Sequence, residues 1–124
     1  MGPIRHRLIH RFIAKLLQQA SKGQDFLGRF GGEEFILLLP NTSAANAYAF
    51  AEKLRKLLQE TNLKLRNTQE SLKFTASVGV STYHKGEVVA DFINRADNSL
   101  YVAKATGRNR VVDEIEARNA KLSP

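Results

Sequence analysis

The chain has 124 residues, of which 43% are hydrophobic and 25% charged, a balance that indicates one globular domain. No apolar run approaches the roughly 20 residues of a membrane-spanning helix, and the spaced apolar positions of the basic N-terminus do not suit a signal peptide. The absence of cysteine rules out disulfides and thiolate metal sites and agrees with a cytoplasmic location. The net charge of +7 could attract nucleotides, lipid or nucleic acid. Because no basic stripe alternates with aromatic side chains, nucleic-acid binding is disfavoured.

The first third of the chain predicts a helix followed by a β-hairpin. Apolar residues recur at three- and four-residue steps over about residues 5–21, which is typical of an amphipathic helix. Two apolar runs, at 26–30 and 33–39, then flank Gly31-Gly32. Glycine tolerates the positive φ angles of a two-residue turn, so these runs predict an antiparallel hairpin.

The middle of the chain predicts a second helix and a second hairpin. Ser43 can act as N-cap for a helix that ends near Thr61. Short alternating runs at 63–66 and 72–82 predict two strands that pair antiparallel. The buried face of the helix is predicted to consist of Ala47, Ala51, Leu54, Leu57 and Leu58.

The last third predicts a third helix over about 89–106, with Gly107 at its left-handed C-cap and Tyr101 in the core. A short strand is expected at 110–112. The charged tail, 113–124, is expected to be exposed and to act as a linker. The inward face of the third helix is predicted to consist of Phe92, Ile93, Ala96, Leu100 and Ala103.

The predicted order is therefore α-β-β-α-β-β-α-β. Helices that alternate with hairpins imply an α+β fold, with an antiparallel-rich sheet and helices packed on it.

Two groups of residues could carry chemistry. In Gly31-Gly32-Glu33-Glu34-Phe35 the glycines would let backbone approach a ligand, and adjacent carboxylates at a strand start would point to opposite faces, one of them able to hold a divalent cation. Lys104 and Arg108, four residues apart, are predicted to share one helix face near its C-terminal end. Each group alone has a structural explanation: an ordinary exposed hairpin, and cations that complement the helix dipole.

Four blocks together resemble the GGDEF domain of the diguanylate cyclases, in its GGEEF variant. The signature is residues 31–35, and the resemblance continues through 75–80, 95–104 and 107–110 in the family's order. It covers roughly residues 8–112, which predicts a partial GGDEF domain at 1–112 followed by the tail.

The resemblance implies a nucleotidyl-cyclase-like fold, similar to a polymerase palm, and the condensation of two GTP molecules to cyclic di-GMP. It implies that Glu33 is a ligand of catalytic Mg²⁺ (or Mn²⁺), that Glu34 contributes to the same catalytic site and that Gly32 lets the backbone contact the nucleotide. Lys104 and Arg108 correspond to the cations that hold the GTP phosphates.

The family's inhibitory cyclic di-GMP site, Arg-x-x-Asp ahead of the signature, corresponds here to Lys22-Gly23-Gln24-Asp25. Lys22 keeps the charge but lacks the planar fork of arginine. Feedback binding of cyclic di-GMP is therefore expected to be weak, and a simple helix-ending turn is an equally good interpretation.

The family's first strand with its metal-binding aspartate, and the guanine-reading segment after it, have no counterpart in this sequence. The family's Gly-His-x-x-Gly-Asp turn aligns with Gly2, and Pro3, His6 and Arg7 then stand in place of His, Gly and Asp. We therefore expect impaired catalysis and a fold that lacks its first strand. Since strand addition from a second copy could fill that place, a homodimer is expected.

The sequence leaves three interpretations open. The chain could be the C-terminal part of a diguanylate cyclase, as Glu33, Glu34, Lys104 and Arg108 favour. Alternatively it is a degenerate module that binds GTP, cyclic di-GMP or a protein partner without turnover, or a fragment with no role of its own.

Overall fold

The computed structural model describes residues 26–30, 34–64, 71–73 and 75–120, with the backbone alone at 26–30, 34–35, 62–64 and 72. The chain divides into two compact units, Met1–Thr42 and Ser43–Pro124, which are described separately. The helix predicted over 5–21 lies outside the described residues. The described elements are β1 (Phe26–Phe30), β2 (Glu34–Leu38), α1 (Ala44–Glu60), β3 (Asn62–Lys64), β4 (Ser71–Lys73), β5 (Val78–Val80), α2 (Val89–Ala105), β6 (Val111–Asp113) and α3 (Glu114–Asn119).

In the first unit, β1 and β2 form the predicted antiparallel hairpin. Phe26 pairs with Leu38 and Phe30 with Glu34, so residues 31–33 connect the strands. The register does not fit the predicted two-residue turn, because three residues separate the paired Phe30 and Glu34. The prediction that the two glutamates point to opposite faces involves Glu33, which lies outside the described residues, and it stays a prediction.

Helix α1 begins where its cap was predicted. The Ser43 hydroxyl accepts a hydrogen bond from the backbone N–H of Asn46 at 3.1 Å, which satisfies one of the unpaired donors of the first turn. The helix buries Ala51 and Leu58, as expected. Leu57 was wrongly assigned to the core, since 41% of it is exposed.

The strand predicted over 72–82 is divided between two ladders. β4 pairs antiparallel with β3, as expected, whereas β5 pairs parallel with β6. Parallel neighbours need a long crossover, and here α2 supplies it. Two of the three ladders among the described residues are antiparallel, and the architecture is α+β as predicted.

Helix α2 lies against β5 and β6, and Gly79 allows the close approach. A Cβ at Gly79 would lie 2.2 Å from the carbonyl oxygen of Ala96 and 2.4 Å from the backbone nitrogen of Leu100. The buried positions of α2 are Ser99, Val102 and Ala103. Tyr101 was wrongly placed in the core, because 62% of it is exposed.

Residues 114–119, expected to be exposed, form helix α3 instead. The Asp113 side chain caps it by accepting from the backbone N–H of Glu116 at 2.8 Å. Ala117 is only 7% exposed and packs in the core of this unit with Val102, Ala103 and Val112. The expectation of an exposed tail is therefore wrong for Ala117, whereas Ile115, Arg118 and Asn119 are exposed as expected.

An ion-pair cluster joins the loop after β5 to both following helices. Arg95 of α2 donates to both carboxylate oxygens of Glu87, at 2.5 and 2.7 Å, and to the Thr82 carbonyl at 2.7 Å. Glu114 of α3 accepts the backbone N–H of Thr82 at 2.7 Å. The hydrogen bonds from Arg95 lower the pKa of Glu87 to about 2, so this carboxylate stays ionised across the physiological range.

None of the helices in the described part of the chain is long and apolar enough to cross a membrane.

Candidate functional site

Glu34 is the one residue of the predicted carboxylate and glycine set whose backbone is described. It is the first residue of β2 and pairs with Phe30, so it stands at the turn end of the hairpin. Gly32, Glu33, Lys22 and Asp25 lie outside the described residues. Their predicted roles stay predictions.

The metal prediction rests on the chemistry of the donors. Carboxylate oxygens are the ligands that Mg²⁺ and Mn²⁺ prefer, and Glu33 and Glu34 supply them at one end of the hairpin. Among the described residues, no group of three or more His, Asp or Glu side chains could hold a metal ion. Glu33, the predicted metal ligand, lies outside the described residues, so the metal site stays a prediction.

Lys104 and Arg108 lie at the C-terminal end of α2, but not on one helical face. Lys104 is in the last turn, whereas the helix ends at Ala105 with Thr106 as its C-cap. Arg108 follows Gly107 in the left-handed region, at φ 62°. The prediction that four-residue spacing puts both side chains on one helix face was wrong, because the helix ends between them.

The backbone after α2 forms a glycine-type C-cap. Gly107 has φ 123°, and the N–H of Arg108 donates to the Ala103 carbonyl at 2.9 Å. This bond, from the second residue after the C-cap back to the third-last helical residue, belongs to the Schellman motif. It confirms the predicted left-handed glycine at Gly107, directly after the C-cap residue Thr106, and fixes the backbone of Arg108 just beyond the helix.

The cations near this cap differ in their partners. Arg110 donates to the Thr106 hydroxyl at 2.7 Å and to Glu116. Lys104 and Arg108 are exposed, and no carboxylate among the described residues forms an ion pair with either. The negative end of the helix dipole favours these cations, and their N–H groups can donate charge-assisted hydrogen bonds to an anionic ligand.

Three residues that were not singled out as site residues hold the turn that carries Arg108. Arg55 of α1 donates to the side-chain oxygen of Asn109 at 3.0 Å, and the Asn109 N–H donates to the Ser77 hydroxyl at 3.2 Å. Ser77 and Asn109 fell within the motif blocks of the sequence, but only as parts of a pattern. No sequence signal connects Arg55 to them, since the contact spans 54 positions of the chain.

The second unit therefore brings Lys104 and Arg108 to one helix end. Glu34 belongs to the first unit, and its grouping with the two cations stays a prediction.

Comparisons with known proteins agree with the resemblance seen in the motifs. The chain is 40% identical to diguanylate cyclase A of Treponema denticola over 100 residues. The aligned segment covers 80% of this chain and 26% of that protein. The GGDEF domain of DgcB from Caulobacter crescentus, solved in complex with c-di-GMP, matches with a TM-score of 0.80 and 32% identity, over 85% of this chain and 62% of that one. The active GGEEF domain of a diguanylate cyclase from Vibrio cholerae matches with a TM-score of 0.69 and 36% identity, over 83% and 64% of the two chains.

The chain spans about a quarter to a third of the length of the first curated relatives that it matches. The family model described as diguanylate cyclase, GGDEF domain, matches residues 8–110, which include the hairpin, helices α1 and α2 and the turn that carries Arg108. The chain therefore belongs to the diguanylate cyclase GGDEF domain family.

Proposed function

We propose that this domain takes part in the condensation of two GTP molecules to cyclic di-GMP. In that reaction the 3′ oxygen of each GTP forms a bond to the α-phosphorus of the other. Each attack expels a pyrophosphate, and each 3′ hydroxyl loses its proton. The observation that carries the proposal is the family match over residues 8–110, which includes both the carboxylates and the cations of the candidate site.

Lys104 and Arg108 are assigned to the triphosphate. Both are exposed at the end of α2, and neither is paired with a carboxylate among the described residues. Charge-assisted hydrogen bonds from such cations to phosphate oxygens are stronger than neutral ones, and they offset the negative charge that grows on the departing pyrophosphate. Since GTP is a cytoplasmic nucleotide, we place the domain in the cytoplasm.

Glu33 and Glu34 are assigned to Mg²⁺ or Mn²⁺, with Glu33 as the direct ligand and Gly32 as the point where backbone meets the nucleotide. When bound, the metal lowers the pKa of the attacking hydroxyl and stabilises charge on the phosphate. The two carboxylates would hold the ion near the start of β2, the strand that begins at Glu34. A homodimer is part of the proposal, because the product joins two identical nucleotides.

Two differences from the family's motifs lead us to propose slow turnover and weak binding of cyclic di-GMP. Arg7 stands where the family has an aspartate, so turnover by the chain itself should be slow. Lys22 stands where the inhibitory site has an arginine, so binding of cyclic di-GMP should be weak. The same substitutions would suit a module that binds nucleotide without turnover. Detection of cyclic di-GMP distinguishes a slow enzyme from such a module.

The test is product detection by mass spectrometry after the folded chain is incubated with GTP and Mg²⁺. We expect slow formation of cyclic di-GMP that falls by at least ~100-fold in Glu33→Ala, since even loss of residues behind a metal ligand costs 10–100-fold. Glu60→Ala, which removes an exposed carboxylate at the end of α1, is the matched control and should keep the rate.

A chain that binds a non-hydrolysable GTP analogue without making product would support the binding module instead. A folded chain that neither binds the analogue nor makes product would overturn the proposal.

A further inference from the structure

The turn after α2 holds three consecutive residues at positive φ. Gly107 lies at 123°, Arg108 at 62° and Asn109 at 46°. Glycine adopts such angles readily, and asparagine does so more easily than most residues, but arginine does not. A residue other than glycine is strained in this region and stays there only when neighbouring contacts enforce the conformation.

The enforcing contacts come from three separate parts of the second unit. The Arg108 N–H donates to Ala103 of α2 at 2.9 Å. The Asn109 N–H donates to the hydroxyl of Ser77, just before β5, at 3.2 Å. The Asn109 side-chain oxygen accepts from Arg55 of α1 at 3.0 Å. Asn109 thus anchors the C-terminal side of Arg108 through both its backbone and its side chain.

Arg55 is itself held in place. Its side chain is only 14% exposed, and its guanidinium also donates to Glu52 and to Gln59, each at 3.0 Å. The hydrogen bond to Glu52 raises the pKa of Arg55, so the donor keeps its charge. A planar guanidinium fixed by two neighbours on its own helix presents a rigid donor to Asn109.

We infer that Asn109 is a positioning residue for Arg108, and that Arg55 and Ser77 act through it. By holding the backbone in the left-handed region, the three residues fix the direction in which the Arg108 side chain leaves the chain. A cation positioned before the ligand arrives loses less conformational entropy on binding phosphate. This inference rests on the proposed phosphate-binding role of Arg108.

The experiment is a double-mutant cycle on the affinity for a non-hydrolysable GTP analogue with Mg²⁺. Arg108→Ala should weaken binding by ~10–100-fold, the value of a charge-assisted hydrogen bond. Asn109→Ala should weaken binding by ~3–10-fold. In the Arg108→Ala background, Asn109→Ala should cause no further loss, because Asn109 acts only through Arg108.

A merely structural role would give a different result. If Asn109→Ala weakened binding by the same factor in both backgrounds, or not at all, the inference would be overturned. If Arg108→Ala bound the analogue like the original chain, the phosphate role of Arg108 would fail, and the inference would fail with it. The product assay with Glu33→Ala reports separately on the carboxylates.

Matched variants guard against misfolding. Arg55→Met should reproduce the loss seen in Asn109→Ala, whereas Lys53→Met, at an exposed position of the same helix, should not. Backbone NMR shifts of Arg108 should change in Arg55→Met and stay constant in Lys53→Met; unchanged shifts in both would contradict the inference.

Discussion

At Gly79 of β5, the absence of a side chain lets helix α2 approach the strand closely. The atoms that a Cβ would meet are backbone atoms of α2, the Ala96 carbonyl oxygen at 2.2 Å and the Leu100 nitrogen at 2.4 Å. Backbone atoms cannot rotate away as a side chain can. Helix α2 also carries Lys104 in its last turn, so a shift of the helix would move one of the candidate phosphate ligands.

We expect Gly79→Ala to lower the free energy of unfolding by about 3 kcal/mol or more, at the upper end of the cost of overpacking. Urea unfolding followed by circular dichroism measures this. Gly86→Ala is the control: nothing lies within 4 Å of its Cβ position, but its φ is 86°, so strain alone should cost about 1–2 kcal/mol. Equal costs at both positions would show that crowding at Gly79 is not the cause.

Single residues were predicted best where a backbone rule decided them. The cap at Ser43 and the positive φ of Gly107 both followed from local chemistry. Burial was predicted less well. Ser99 is fully buried, and Tyr101, about 200° further round the helix, is exposed. Hydrophobicity favoured tyrosine for the core, but the narrow gap between α2 and the strands accepts small side chains.

At the scale of elements, α3 contributes to the core and to the ion pairs of the second unit. Its cap, Asp113, is also the last residue of β6, so strand and helix follow without a loop. Ala117 faces Val102, Ala103 and Val112, and Glu114 joins the ion-pair cluster around Arg95. Loss of this helix would expose the C-terminal half of α2.

We expect Ala117→Asp to lower the free energy of unfolding by about 3 kcal/mol, because it buries a charge without a partner. Ala90→Asp, at an exposed alanine in the first turn of α2, should change stability by less than about 0.5 kcal/mol. Chemical denaturation of both variants gives the comparison. A similar small effect for both would mean that α3 does not seal the core.

The elements that sequence could predict were those with local signals. Helices α1 and α2 followed from periodicity and caps, and the two hairpins followed from neighbouring apolar runs. The parallel pairing of β5 with β6 had no local signal, because its partners are separated by the whole of α2. Helix α3 was missed since a six-residue helix with one buried alanine has too short a pattern to separate it from a charged tail.

For the whole molecule, the proposed product, cyclic di-GMP, would constrain the assembly through its symmetry. Cyclic di-GMP contains two equivalent guanylate units, so each GTP must meet the other in the same geometry. Two copies of one domain related by a twofold axis would supply two equivalent sites. Dimers with this symmetry are the commonest homo-oligomers. On the proposed function, Lys104 and Arg108 at the end of α2 would serve one nucleotide in each copy.

This symmetry predicts that product formation depends on protein concentration. Below the dissociation constant of the dimer, the rate of cyclic di-GMP formation per domain should rise about tenfold for a tenfold rise in concentration, because the fraction paired grows with concentration. Rates measured over three decades of concentration, with sedimentation in the presence of a GTP analogue, provide the test. Mixing the original chain with an excess of Glu33→Ala should lower the rate of product formation per original domain, because original domains then form dimers with inactive ones. A rate per domain that stays constant over the whole range, with a monomer in sedimentation, would show that one copy is sufficient.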